Sequence, residues 1–113
     1  MYGLSGMHEF ESAIKSLKCA IFKELDIYEY SNNLGRAYFK ARDYDSAASM
    51  FSKAAEVNPT DSAVYMNLGA ALGNVKEYDR SVASYLKAIE LNPLEPRAYY
   101  ELAIVYIQAG TMD

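Results

Sequence analysis

The chain has 113 residues, one domain's worth, and its 51% hydrophobic and 23% charged side chains suit a folded, water-soluble protein. Its few Gly and Pro residues stand at intervals, which excludes a disordered or collagen-like chain. A formal net charge of -4 argues against a nucleic-acid binder, which carries a clustered basic face, but leaves room for a local basic groove.

Residues 1–6 lack the basic start and apolar run of a signal peptide and are expected to be a flexible lead-in. Apolar residues at three- and four-residue steps then predict six helical segments, near 8–24, 27–41, 44–57, 61–74, 78–91 and 95–109. Phe10, Ala13, Leu17 and Ala20 form the stripe of the first. No Pro or Gly stands between residues 7 and 34, so the first two segments either turn near Asp26, the simpler reading, or run on as one long helix. Asp43 is placed to cap the third segment. Asn58-Pro59 and Asn92-Pro93 end the third and fifth, because the residue before proline avoids the helical region. The nearly apolar stretch 98–109 is broken by Glu101 and Gln108 and is too short to cross a bilayer. Cys19 is the only cysteine, so no intrachain disulfide forms. That fits a reducing, intracellular and cytoplasmic setting without membrane partners.

The segments repeat. Residues 28–61 align with 62–95 at a shift of about 34 residues, the period of a helix–turn–helix repeat. Asn33-Leu34-Gly35 falls on Asn67-Leu68-Gly69, Tyr44-Asp45 on Tyr78-Asp79, and Lys53-Ala54 on Lys87-Ala88. Glu56-Val57-Asn58-Pro59 falls on Glu90-Leu91-Asn92-Pro93, with no insertion anywhere. The register continues outward. Phe10, Ala13, Leu17 and Ala20 take the places of Tyr44, Ala47, Phe51 and Ala54, while Tyr99, Leu102, Ala103 and Tyr106 take those of Tyr65, Leu68, Gly69 and Leu72. The expected organisation is a trailing half-repeat (7–27), two whole repeats (28–61, 62–95) and a leading half-repeat (96–113). Gly35 and Gly69 lie within helices, where glycine costs about 1 kcal/mol relative to alanine. The cost is tolerable where a missing side chain lets a neighbouring helix come close.

These residues resemble the tetratricopeptide repeat family. Its pattern of an aromatic, Leu-Gly and Tyr on the first helix reads here as Tyr65, Leu68-Gly69 and Leu72, and as Leu34-Gly35 with Tyr38. The second-helix pattern reads as Tyr44, Ala47, Phe51, Ala54 and as Tyr78, Ser81, Tyr85, Ala88, with Pro59 and Pro93 closing the repeats. Ser31, Ser81, Ala103 and Leu25 depart from the pattern, the last standing where a boundary proline belongs. The resemblance implies an all-α, right-handed superhelical solenoid of antiparallel hairpins whose first helices line a concave binding face. The groove residues are then Asn32, Asn33, Arg36, Phe39 and Lys40 from the second segment. Met66, Asn67, Ala70 and Asn74 come from the fourth, and Arg97, Tyr100, Glu101 and Ile104 from the sixth. Asn33 and Asn67 carry the sharpest expectation, since an asparagine side chain both donates to and accepts from the main chain of an extended peptide. Met66 and Ala70 would floor the groove.

Some family members clamp acidic C-terminal tails with lysine, asparagine and arginine. Asn67 matches that set, but Asn32, Arg36 and Glu101 occupy clamp positions of other chemistry, and Glu101 would repel a carboxylate. No phosphate-binding loop or dinucleotide fingerprint is present. A lone His8 and a lone Cys19 suggest neither a metal set nor a nucleophile–base pair. The reading is therefore a non-enzymatic interaction scaffold, with no metal or cofactor, that binds a protein or peptide partner. A structural alternative uses the half-repeats. The last segment is apolar almost all round, and Tyr99, Leu102, Val105, Tyr106 and Ile107 would mediate self-association as a homo-oligomer. The other alternative is a regulatory fragment of a larger multidomain protein.

Overall fold

A computed structural model describes residues 2–110, with side-chain surroundings from residue 26 onward and at residues 12, 14–16 and 23. The chain forms five helices: α1 (Tyr2–Lys40), α2 (Tyr44–Val57), α3 (Ser62–Asn74), α4 (Tyr78–Leu91) and α5 (Pro96–Ala109). They build an all-α, right-handed solenoid in which α1 packs on α2, α2 on α3, α3 on α4 and α4 on α5.

Four expected segments appear almost at their expected bounds, and the first two do not. Segments 8–24 and 27–41 are one helix of 39 residues, and residues 2–6 belong to it rather than to a separate lead-in. The turn expected near Asp26 is absent. The physical reason is local: with Leu25 where a proline would stand, no Pro or Gly between residues 7 and 34 interrupts the helix. The stripe of Phe10, Ala13, Leu17 and Ala20, like His8 and Cys19, lies outside the described side chains.

The turns of the two complete hairpins close alike. In the first turn the Asp43 N–H donates to the Tyr38 carbonyl at 2.9 Å; 34 residues on, the Glu77 N–H donates to the Leu72 carbonyl at 2.9 Å. Both are the wide closing bond of a helix C-terminus, and both place a residue in the left-handed region, Arg42 at φ 65° and Lys76 at φ 67°. Asp43 then caps α2 by accepting from the Ser46 N–H at 3.3 Å, as expected. Asp61 caps α3 through the Ala63 N–H at 3.0 Å, and Glu95 caps α5 through the Arg97 N–H at 3.2 Å, with Pro96 opening that helix.

Inside each hairpin an aromatic ring lies on a glycine. A Cβ placed on Gly35 would meet the Phe51 ring at 2.8 Å, and one on Gly69 would meet the Tyr85 ring at 2.8 Å. Both rings are buried, Phe51 at 1% exposure and Tyr85 at 2%. The interior glycines are thus explained by close helix approach. Ser81, at a position that is small in the resemblance, is fully buried and donates to the Gly69 carbonyl at 2.6 Å. Around these contacts Ala47, Phe51, Leu68 and Leu72 form one core cluster, and Met66, Tyr85, Ala88, Ala98, Leu102 and Val105 another. Ala54, Ala55 and Val64 join the two hairpins, with Tyr28 and Tyr65 against them.

The Tyr28 hydroxyl donates to the Asp61 carboxylate and so ties α1 to the start of α3. Burial, then Asp61, pushes the phenol pKa up to about 12. A phenol whose folded pKa lies above its unfolded value stabilises the fold fully below pH of about 10 and loses that contribution as pH rises toward 12. Unfolding in urea should therefore show stability falling through this window, and Tyr28→Phe should remove part of the slope, the buried Tyr85 supplying the rest.

Gly35→Ala and Gly69→Ala should each lower the unfolding free energy by about 1–2 kcal/mol, the strain outweighing the ~1 kcal/mol helix gain of alanine. Urea denaturation followed by circular dichroism measures this, and stabilisation would mean that the rings can yield.

Candidate functional site: a concave groove across three helices

The hairpins fold so that α1, α3 and α5 present one face to a common groove. A cavity of about 440 Å³ gathers Asn32, Arg36, Phe39 and Lys40 from α1, Ala63, Asn67 and Ala70 from α3, Arg97 from α5, and the edge of Phe51. Seven of the thirteen groove residues read from sequence meet here. The Phe39 ring is held edge-on to Tyr44, centroids 5.1 Å apart. Arg36, Lys40 and Arg97 bring three cations to this part of the groove, and no carboxylate shares its lining.

Further toward α5 lies a smaller pit of about 130 Å³, lined by Gly69, Ala70, Gly73, Asn74, Tyr85, Glu101, Ile104, Val105 and Gln108. Ala70 borders both cavities, so they adjoin on α3. Two glycines and an alanine leave the α3 wall open, and Ile104 is the apolar wall opposite. Glu101 accepts from the Arg97 Nε at 3.0 Å through Oε1. Its Oε2 is buried and has no hydrogen-bond partner among the described residues. The Tyr85 hydroxyl lies near the same carboxylate. Burial above all, and then Glu101, pushes its pKa up, while Arg97 opposes the shift, so the phenol stays protonated. On the α1 side the Asn32 Oδ1 is likewise buried and unpartnered.

Several expected site residues lie elsewhere. Asn33 lines a different cavity, with Ile27, Tyr30, Leu34, Met50 and Lys53 on the far side of α1 and α2. Asn67 on α3 shares its cavity with Asn32, Arg36, Phe39 and Lys40 of α1, whereas Asn33, one repeat earlier, shares its cavity with Met50 and Lys53 of α2. Met66 does not floor the groove; at 8% exposure it packs in the core with Tyr85 and Ala98. Tyr100 is 68% exposed and lines neither cavity. Of the residues read as self-associating, Leu102 and Val105 are buried in the core and Tyr106 packs against it, while Tyr99 and Ile107 are exposed. The pit's base, Gly69, Tyr85 and Val105, was not foreseen as site. Its residues read as core positions, and only the adjacent Gly69 and Gly73 signalled an opening.

Among the described residues no group of three or more His, Cys, Asp or Glu side chains could hold a metal ion. No described helix is long and apolar enough to cross a membrane.

The architecture defines a helical-hairpin repeat protein with a concave groove. Two family models match in the places where the repeats were read: a tetratricopeptide repeat model over residues 28–61 and a TPR repeat model over residues 76–110, together more than half of the chain. The chain belongs to the tetratricopeptide repeat family. Among solved structures it is similar to a MamA mutant, with 32% identity and a TM-score of 0.72 over 76% of this chain and 63% of that one. It is also similar to the TPR2B domain of yeast Sti1 in complex with pHsp70, with 29% identity and a TM-score of 0.70 over 73% of this chain and 66% of that one. The TPR domain of Arabidopsis OM64, 18% identical with a TM-score of 0.72 over 75% of this chain and 70% of that one, shares the fold. The chain thus spans just under two thirds of the MamA chain it matches. No curated protein matches it. Repeats of this family generally mediate protein–protein interaction.

Proposed function

We propose that this chain is a non-enzymatic scaffold that holds an extended segment of a partner protein in the groove of α1, α3 and α5. The observation that carries the reading is the convergence of Asn32, Arg36, Lys40, Asn67 and Arg97 on one concave surface, where the Asn32 Oδ1 is buried and unpartnered. A buried acceptor without a donor costs free energy, on the order of 1–3 kcal/mol, and an extended peptide supplies main-chain N–H groups that satisfy it. Asn67 donates and accepts and thereby fixes the same backbone. The similar TPR2B domain of yeast Sti1 is solved in complex with pHsp70, which supports a protein or peptide partner. The reading includes an intracellular setting and no catalytic role.

Asn67→Ala and Arg36→Ala should each weaken capture of the partner from a native extract by about tenfold, the worth of one or two lost hydrogen bonds, at least one of them charge-assisted. Asn33→Ala should leave capture unchanged. Equal sensitivity at Asn33 and Asn67 would remove the groove assignment.

A second reading has its own observation. Tyr99, Tyr100 and Ile107 expose large apolar surface on α5, at 47%, 68% and 66%. Self-association through this face, with Leu102 and Val105 excluded as core, would give a light-scattering mass above the monomer at micromolar concentration. Ile107→Glu should return it to the monomer without loss of helical circular dichroism; a wild-type monomer at high concentration would rule the reading out.

A further inference from the structure

Charge is spread unevenly along the groove. Beside α1 it carries Arg36 and Lys40 with no carboxylate in the lining. Beside α5 lies the smaller pit, whose lining holds Glu101, paired with Arg97 at 3.0 Å. We propose that this pit receives the ammonium group of a lysine in the bound peptide, with an acidic residue of the same peptide lying over Arg36 and Lys40. The inference rests on the groove reading above and specifies the ligand that groove selects.

Three features favour an ammonium over other occupants. Glu101 has one oxygen already held by the Arg97 Nε at 3.0 Å, which leaves a single buried oxygen, Oε2, without a partner. A guanidinium fork is matched by two parallel carboxylate oxygens, whereas an ammonium is a point charge with three freely placed donors. The second feature is the supply of further acceptors. The Asn74 Nδ2 donates to the Ala70 carbonyl at 2.8 Å, which leaves its Oδ1 to accept, and Gln108 adds a second amide oxygen on the rim. The third is shape. Ala70, Gly73 and Ile104 wall the cavity of about 130 Å³ with apolar or absent side chains, suiting the aliphatic stem of one lysine. A ligand carboxylate would instead meet Glu101 at close range in a partly desolvated site, where like charges repel strongly. The same carboxylate that spoils an acidic-tail clamp thus becomes the selective element for a basic side chain.

The test uses the full chain and an arrayed library of short peptides that carry one acidic residue and, at a fixed neighbouring position, lysine, acetyl-lysine, arginine, norleucine or glutamate. The wild-type chain should bind the lysine series about tenfold more tightly than the acetyl-lysine and norleucine series, the scale of one charge-assisted hydrogen bond. Arginine should fall between and glutamate last. Glu101→Gln should abolish the lysine preference while retaining binding of the norleucine series, and Arg97→Gln, which frees Oε1, should sharpen the preference. Circular dichroism confirms that both variants are folded. Peptide binding that is indifferent to lysine, or a preference that survives Glu101→Gln, overturns the lysine pit and leaves the groove reading standing. Binding of no peptide in the array, or binding unaffected by Asn67→Ala, overturns the groove reading and the pit with it.

Discussion

An aromatic ring pressed on a bare glycine sets the spacing of each hairpin: Phe51 on Gly35 and Tyr85 on Gly69. The contact decides more than stability. With no Cβ between ring and backbone, the two helices of a hairpin approach closely enough for the next helix to sit against both, as Leu68 and Leu72 of α3 join Phe51 in one core. The following hairpin repeats the operation with Tyr85, Ala98 and Leu102. Stacking of identical steps is what lines up α1, α3 and α5 on one side, so the groove is a consequence of the core's geometry.

The second hairpin adds a polar element that the first lacks. Tyr85 differs from Phe51 by one hydroxyl, and that hydroxyl lies close to the Glu101 carboxylate at the base of the pit. Ser81 fills the adjoining space and binds the Gly69 carbonyl. The core thereby reaches the groove through its polar atoms. The α5 end holds the smaller cavity and the paired Arg97 and Glu101, while the α1 end carries Arg36 and Lys40 with no carboxylate in the groove lining.

Much of this was legible in the residues. The repeat register located α2 to α5 within a residue or so, because the signals there are physical ones: the Asp43 cap and the prolines after Asn58 and Asn92. The glycines' purpose followed from their cost. The fused α1 was open in the sequence as one of two readings, and the missing stop at Leu25 decides it. Side-chain direction was less accessible. Asn33 and Asn67 are equivalent by register, yet they line different cavities, Asn67 beside residues of α1 and Asn33 beside residues of α2. Met66, Leu102 and Val105 were assigned to surfaces because a helix apolar on most sides has no evident outward face; packing of α4 against them resolves it.

Nuclear magnetic resonance gives the most direct test of the contact on which the groove depends. The account predicts nuclear Overhauser effects from the Gly35 Hα protons to the Phe51 ring and from the Gly69 Hα protons to the Tyr85 ring. Both pairs of glycine resonances should be displaced from their random-coil positions by the ring currents. Glycine Hα resonances at random-coil positions, without ring contacts, would contradict it, since the helices of each hairpin would then be too far apart to align α1, α3 and α5.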